Sequence, residues 1–476
     1  MGEVPGRDVP AVPQATLDLS RPRSIHVVGA GGAGMSAIAT VLATMGHHVS
    51  GSDLKASASL DRLVRHGVRV SVGHRAEHLG DADVVAISTA VPERNPEVVA
   101  ARRRGIPVLR RAEILAALAA TRRTIAVAGT HGKTTTSSML ALVLRAAGMR
   151  PSFIIGGDVN EIGTGAVWDD GELFVVEADE SDGTFLELGA ETVVVTNVEP
   201  DHLEHYGSFD QLRSAFARFL AAAPGPRVVC ADDPLAATLG AVAGAASYGT
   251  SDGADYRMTE LRPDRAGTSF TLVHRGAPLG EVHLPVPGLH NARNAAAALV
   301  TGLLVGAPFD AGRDALAHFA GVARRFEFRG EAAGVSFIDD YAHLPTEVAA
   351  ALEAAVQGGW RRVVGVFQPH RYSRTASLWR DFADSFAGAD LLVVTDVYPA
   401  GEAPRPGVSG LLVAHAVLDA HPWRRLAYLP RRADLVPYLA RELRPGDLCL
   451  TLGAGDLTAL PDELRHVLAD RVPVAP

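Results

Sequence analysis

The chain has 476 residues, 47% hydrophobic and 21% charged, with a formal charge of −9 and two cysteines. These values exclude a fibrous or wholly disordered chain and a disulfide framework, and the acidic balance argues against nucleic acid as the main partner. No apolar run reaches the roughly 18 residues that a membrane span needs. Cys230 and Cys449 stand in no metal-ligand spacing, so a reducing, cytoplasmic compartment is expected. Of the 45 Lys and Arg residues, only Lys55 and Lys133 are lysine, leaving 43 arginines. A lysine retained against such a bias raises the question of whether its position needs an ammonium group.

Residues 1–22 carry Pro5, Pro10 and Pro13 and no apolar signal segment, and are expected to form a flexible extension. From Ser24 the pattern alternates. A buried strand at 25–28 runs into a glycine loop and a helix over about 33–45, with Ile38, Val41, Leu42 and Met45 at helical spacing. Strands follow at 68–70 and 83–87, and helices near 95–104 and 111–120. A second series starts with a strand at 124–127, a glycine loop and a helix to about Ala147. Strands are expected at 173–177, 192–196 and 227–229, antiparallel strands within 250–287, and a helix from near Asn291. A third series starts near Arg324, with strands at 335–338, 362–366, 391–394 and 447–450. The reading is an α/β protein of three consecutive domains, at 23–121, 122–322 and 323–476.

Gly29, Gly31 and Gly34 fit a GxGxxG turn between strand and helix, with Gly32 inside it and Asp53 at the end of the next strand. Such a turn lets backbone approach a diphosphate at a helix N-terminus. A dinucleotide and a UDP-sugar both offer that group. The second loop, Gly129-Thr130-His131-Gly132-Lys133-Thr134-Thr135, ends in the GK[ST] of a phosphate-binding loop, shortened because Val127 stands where the full pattern has glycine. Its amides and Lys133 would hold phosphate oxygens, and Thr134 would ligate Mg²⁺. Lysine suits that place as a compact point charge, for which arginine's planar fork is a poor substitute. Lys55 reads as a solvated surface residue.

Downstream, an apolar strand ends in Glu177-Ala-Asp-Glu-Ser-Asp182, where a carboxylate can serve Mg²⁺. The next strand ends in Thr196-Asn-Val-Glu-Pro-Asp-His202. Further clusters are Asp339-Asp-Tyr341-Ala-His343 and Phe367-Gln-Pro-His-Arg371-Tyr-Ser-Arg374, whose two arginines suit a carboxylate or phosphate.

Taken together with His290-Asn-Ala-Arg-Asn294 and Arg324-Arg-Phe326, these motifs make the chain resemble the Mur ligases from about Ile25 to Asp456. The resemblance implies a Rossmann-like N-terminal domain, a central P-loop ATPase-type domain and a Rossmann-like C-terminal domain. It implies an ATP-dependent amide ligase of peptidoglycan synthesis, joining L-alanine to the lactyl carboxylate of UDP-N-acetylmuramate through an acyl phosphate. The first loop (Gly29, Gly31, Gly32, Gly34, Asp53) would then hold the UDP-sugar. Gly129 to Thr135 and Asn294 would bind ATP; Thr134, Glu177 and His202 would serve Mg²⁺; Tyr341, His343, Arg371 and Arg374 would form the amino-acid site. Lys133, His202 and His343 would be the catalytic residues. The chain departs from the family's His-His-Pro at Leu344. With no lysine after Lys133, it cannot use the carbamylated lysine found in some members. A related ligase that attaches a recycled murein peptide to the same sugar, and a nicotinamide-dependent dehydrogenase using the first loop, are the alternatives.

Overall fold

The computed structural model describes residues 17–469 apart from Thr89, Arg265 and Ala266. The expected extension over 1–22 lies outside the described residues up to residue 16; within the remainder, Leu19 is buried. The chain divides into two compact units, the first running to Thr124 with the short stretch Glu187–Gly189, the second holding the rest.

The first unit is a five-stranded parallel sheet: β1 (Ser24–Val28), β2 (His48–Asp53), β3 (Arg69–Val72), β4 (Val84–Ile87) and β5 (Val108–Arg110), in the order β3-β2-β1-β4-β5. The central strands are continuous apolar runs because both sheet faces are covered by helices; Val27, Val28, Val85 and Ala86 are fully buried. The helix Ala33–Thr44 follows β1 and buries Met35, Ile38, Val41 and Leu42. The chain order reverses between β1 and β4, which places a crevice at the C-terminal ends of these strands.

Behind that crevice Glu97 is fully buried. Its carboxylate accepts from Ser52 Oγ at 2.6 Å and from the Arg75 amide at 3.2 Å. The Nδ1 atoms of His74 and His78 lie 3.0 and 2.9 Å away, and the His26 ring stands at 3.7 Å. Burial disfavours the charge, but His26, Ser52 and His78 outweigh it and hold the carboxyl at about 2, against an ordinary 4.5. The stabilisation is therefore complete above pH 4.5 and fades as pH falls through about 2. Glu97→Gln is expected to cost about 3 kcal/mol at neutral pH. Urea unfolding should show the difference from the parent shrinking between those two pH values; a pH-independent difference would contradict the charge-based account.

The second unit holds two sheets. The larger has ten strands: β6 (Arg123–Ala128), β7 (Ser152–Val159), β8 (Thr164–Val167), β9 (Leu173–Glu177), β10 (Thr192–Val195), β11 (Arg227–Cys230), β12 (Ala246–Gly249), β13 (Tyr256–Asp264), β14 (Gly267–His274) and β15 (Ala277–Leu284). Their order is β15-β14-β13-β12-β11-β10-β6-β9-β7-β8, so the strand feeding the phosphate loop lies between those carrying Glu177 and the Asp201-His202 pair. β13, β14 and β15 are antiparallel neighbours, as their alternating polarity indicates. The helices Lys133–Ala146 and Leu289–Leu304 pack together over the core, along alanine and β-branched faces.

The smaller sheet has β16 (Glu327–Ala332), β17 (Val335–Asp340), β18 (Arg362–Phe367), β19 (Leu391–Val394), β20 (Leu426–Tyr428) and β21 (Asp447–Leu452), in the order β16-β17-β21-β18-β19-β20. Only β16 is antiparallel to its neighbour. Among the described residues no helix is long and apolar enough to cross a membrane.

Candidate active site

The phosphate loop links β6 to the helix Lys133–Ala146. Asn197, just past β10, braces it: its Oδ1 accepts from the His131 amide at 2.8 Å, and its Nδ2 donates to the His131 carbonyl at 3.1 Å. Thr196 Oγ1 donates to the same carbonyl at 2.5 Å. Gly132 turns the chain into the helix at φ +80°, and a Cβ there would stand 2.5 Å from Asn294 Oδ1. That position therefore requires glycine both for its backbone angle and for the side chain beneath it. The first-turn amides beyond Gly132 have no intrahelical acceptor, the donor arrangement that suits an anion.

Lys133 lies along this loop. Its Nζ donates to the Gly129 and Thr130 carbonyls at 2.6 and 3.2 Å and to both Glu180 oxygens at 2.9 and 2.8 Å. Burial opposes its charge, but Glu180, Asp179 and Glu177 more than offset this and raise its pKa. Thr134 Oγ1 donates to Glu177 Oε1 at 3.1 Å, while Glu177 Oε2 takes the Gly156 amide at 2.7 Å. This brings a hydroxyl and a carboxylate together beside the loop. Among the described residues no group of three or more His, Cys, Asp or Glu side chains is arranged to hold a metal ion.

Beside the loop opens a cavity of about 310 Å³, lined by His131, Gly132, Thr135, Asn294 and Asp232 of the larger sheet's domain and by Arg325, Asp340 and Glu347 of the smaller sheet's. Asn294 Oδ1 accepts from Thr136 Oγ1 at 3.2 Å. Asp232, at the end of β11, accepts from the amides of Thr250 and Ser251 and from Arg293 Nε at 2.7 Å, which lowers its carboxyl to about 2 despite burial. Asp232, Arg293, Arg325 and Asp340 carried no role in the sequence reading. Arg293 and Arg325 lie inside motifs already noted, and the signal for Asp232 is its place at a strand's C-terminal end.

A second cluster gathers at the C-terminal ends of β17 and β18. His343 is half-buried; desolvation and Arg374 hold its pKa down to about 4 despite Glu347. Its ring stands edge-on to Tyr341 and to His370, with centroids 5.5 and 5.6 Å away. Arg374 Nη1 lies 3.1 Å from His370 Nδ1, and its Nη2 lies 3.6 Å from Asp201 Oδ2. Asp201 in turn pairs with His202 Nε2 at 3.2 Å, so Arg374, Asp201, His202 and His343 form one group. Arg371 opens the helix Tyr372–Leu378 with φ +66°, its amide bonded to the Tyr398 carbonyl at 2.8 Å. Arg324 and Arg325 stack on the Tyr341 ring at 4.8 and 5.0 Å. Leu344, where the family has a second histidine, is buried at the start of the helix Pro345–Gln357.

In the first unit, the Gly29 and Ala30 amides donate to the Ser52 carbonyl at 2.9 and 3.0 Å. The Gly31 amide donates to Asp53 Oδ2 at 2.8 Å, so Asp53 holds the turn of the loop itself. Arg111 Nη1 comes within 2.8 Å of where a Cβ on Gly34 would stand, so the absent side chain leaves room for a guanidinium over the loop.

Fold and site define an α/β protein in which a phosphate loop of one domain faces an arginine- and histidine-bearing strand edge of the next. Three family models match in succession: the Mur ligase family catalytic domain over residues 24–123, the Mur ligase middle domain over 127–302 and the Mur ligase glutamate ligase domain over 324–455. The chain belongs to the Mur ligase family. It is 48% identical to the UDP-N-acetylmuramate–L-alanine ligase of Myxococcus xanthus over 448 residues, 93% of this chain and 95% of that protein. It is similar to the crystal structure of the UDP-N-acetylmuramate-alanine ligase of Thermotoga maritima, with a TM-score of 0.78, 29% identity and coverage of 94% and 99% of the two chains. A murein peptide ligase of Psychrobacter arcticus shares the fold at a TM-score of 0.68 and 24% identity, covering 95% of this chain and 100% of that one.

Replacing the carboxylate that faces Lys133 by an amide leaves the ammonium with neutral acceptors only. Glu180→Gln is expected to destabilise the second unit by about 3 kcal/mol, read as a lower guanidinium midpoint. An unchanged midpoint would mean that neutral acceptors hold the ammonium without an opposing charge.

Proposed function

We propose that this chain joins L-alanine to the lactyl carboxylate of UDP-N-acetylmuramate at the expense of ATP, forming ADP and phosphate. The observation that carries the reading is the phosphate loop with Lys133, opening onto a cavity shared with the domain that bears His343 and Arg374. The two alanine ligases named above align with 93% and 94% of the chain and support the same reaction.

In this reading the loop amides and Lys133 take the β- and γ-phosphates of ATP, and the adenosine fills the cavity beside Asn294. Lys133 leaves Glu180 for the phosphate oxygens, keeping its charge throughout. The lactyl carboxylate attacks the γ-phosphorus, the bond to the β-phosphate oxygen breaks and ADP departs. The amine of alanine then attacks the acyl carbon and phosphate leaves with the acyl oxygen. Such transfers depend on alignment and charge neutralisation. Thr134 and Glu177 offer the hard oxygen donors that suit Mg²⁺, with phosphates and waters completing its shell, and the ion would neutralise phosphate charge. His202 is the second proposed Mg²⁺ residue, though its Nε2 already faces Asp201. Arg371 and Arg374 would take the carboxylate of alanine, with Tyr341 beside them. An imidazole held at about 4 is a weak base, so His343 serves better to orient the amine than to store its proton. The first unit's glycine loop would carry the diphosphate of the UDP-sugar. The domains are proposed at 23–121, 122–322 and 323–476. The soluble nucleotide substrates and two buried free cysteines support a cytoplasmic location.

The deciding experiment is phosphate release from ATP with UDP-N-acetylmuramate and each amino acid or murein tripeptide in turn. Turnover with L-alanine is expected; turnover with the tripeptide alone would favour the murein peptide ligase. Lys133→Arg should retain the fold and lose at least about 100-fold in kcat, the scale of a misplaced phosphate contact; near-parental kcat would remove Lys133 from the phosphate site. Glu177→Ala should shift the Mg²⁺ titration of activity to higher concentration, and an unmoved titration would exclude it as a ligand.

A further inference from the structure

His131 belongs to the phosphate loop, and its imidazole bridges a carboxylate of each of two domains. Nε2 lies 3.2 Å from Glu199 Oε2, on the larger sheet's domain, and Nδ1 lies 3.2 Å from Glu347 Oε1, on the smaller sheet's. Thr346 Oγ1 stands 3.1 Å from the same Nε2 and donates to Glu199 Oε2 at 2.7 Å. Burial opposes protonation of the ring, but Glu347 and Glu199 raise it to about 9, so it is a cation at neutral pH. The backbone of His131 is held by Asn197 and Thr196, so a displacement of the loop carries the ring with it.

Glu347 is divided between two tasks. Oε1 meets His131, while Oε2 accepts from the His343 and Leu344 amides at 2.9 and 3.2 Å and lies 3.3 Å from His343 Nδ1. Arg325 adds a longer contact at 3.9 Å. One carboxylate thus ties the phosphate loop at one oxygen to the backbone of the His343 turn at the other.

We propose that His131 is a positioning residue that couples the two subsites: through Glu347 and Thr346 it sets the place of the His343 turn, and hence of the amine acceptor, according to the state of the phosphate loop. This rests on the ligase reading above. It assigns the loop's histidine a task beyond holding ATP. Its mark is an effect on the substrate bound at the far side of the Glu347 carboxylate.

The test uses the full chain and initial rates of phosphate release, with L-alanine, ATP and UDP-N-acetylmuramate varied separately. His131→Gln keeps a side chain that can bond one carboxylate but carries no charge. It is expected to raise KM for L-alanine about tenfold, within the range of measured couplings between sites, and to raise KM for ATP by a smaller factor. Thr346→Val, outside the phosphate loop, should raise KM for L-alanine in the same direction by a smaller factor, and by more than it raises KM for ATP. A folded His131→Gln whose KM for L-alanine stays within twofold of the parent overturns the proposal, as does an equal rise in both KM values. If His131→Gln does not fold, Thr346→Val decides by the same criterion. A parent chain that releases no phosphate with L-alanine refutes the ligase reading instead.

Discussion

A buried ammonium is tolerable only where acceptors surround it, and in this chain Lys133 meets that condition. Two loop carbonyls and the Glu180 carboxylate lie within hydrogen-bond reach of its three N–H donors. The carbonyls come from the loop itself, so the lysine shapes the turn that leads into the helix Lys133–Ala146. Glu180 comes from the segment after β9, so the same contact fixes the acidic strand end against the loop. Glu177 then falls beside Thr134 as a consequence of that register. An arginine could not reproduce this: its planar fork would direct donors into one plane, where the acceptors surround a point. In a chain of 43 arginines, that geometry accounts for the lysine.

The same requirement, that each buried charge meets an opposite one, organises the rest of the second unit. Asp232 is balanced by Arg293 and four hydroxyl or amide donors, Asp201 by His202 and Arg374, and Glu347 by His131 and Arg325. Asp201, beyond β10, and His131 belong to the larger sheet's domain, whereas their partners Arg374 and Glu347 belong to the smaller sheet's. Pairing across that boundary makes the arrangement of one domain a condition for the electrostatic balance of the other. Loss of one partner would strand a charge in a low-dielectric setting, which costs far more than the intact pair gains.

Much of this was legible in the sequence because the informative residues are local. The phosphate loop reads directly as Gly129 to Thr135, and the acidic strand end as Glu177 to Asp182 within one apolar run. The strands β1, β9, β10, β17, β18, β19 and β21 each carry a run rich in apolar residues, as buried parallel strands do. β8, β12 and β20 escaped because Thr-Gly-Ala-Val, Ala-Ser-Tyr-Gly and Leu-Ala-Tyr are short and lack the apolar run that marks the equally short β10 and β19. β7 escaped because Gly156 and Gly157 interrupt it, and β16 because it is an antiparallel edge strand with exposed residues such as Phe328. The partners of the site residues were not legible at all. Nothing in the local sequence links Glu180 to Lys133 or Glu347 to His131, because those contacts are made by topology across 47 and 216 residues.

Two buried glutamates show why burial alone does not identify function. Glu97 and Glu347 are both held well below the ordinary carboxylate range, and both are ringed by histidines. Every partner of Glu97 lies within the first unit, so its charge stabilises a single sheet and its neighbours. Glu347 is shared between a helix start in its own domain and a loop in another, with a different oxygen for each. Replacing the family's second histidine by Leu344 leaves this arrangement intact. Glu347 bonds the Leu344 amide rather than its side chain, and the leucine is buried beneath it. The departure that the sequence made conspicuous therefore falls on a position where only the backbone is used, while the residue that joins the two subsites stands three places further on.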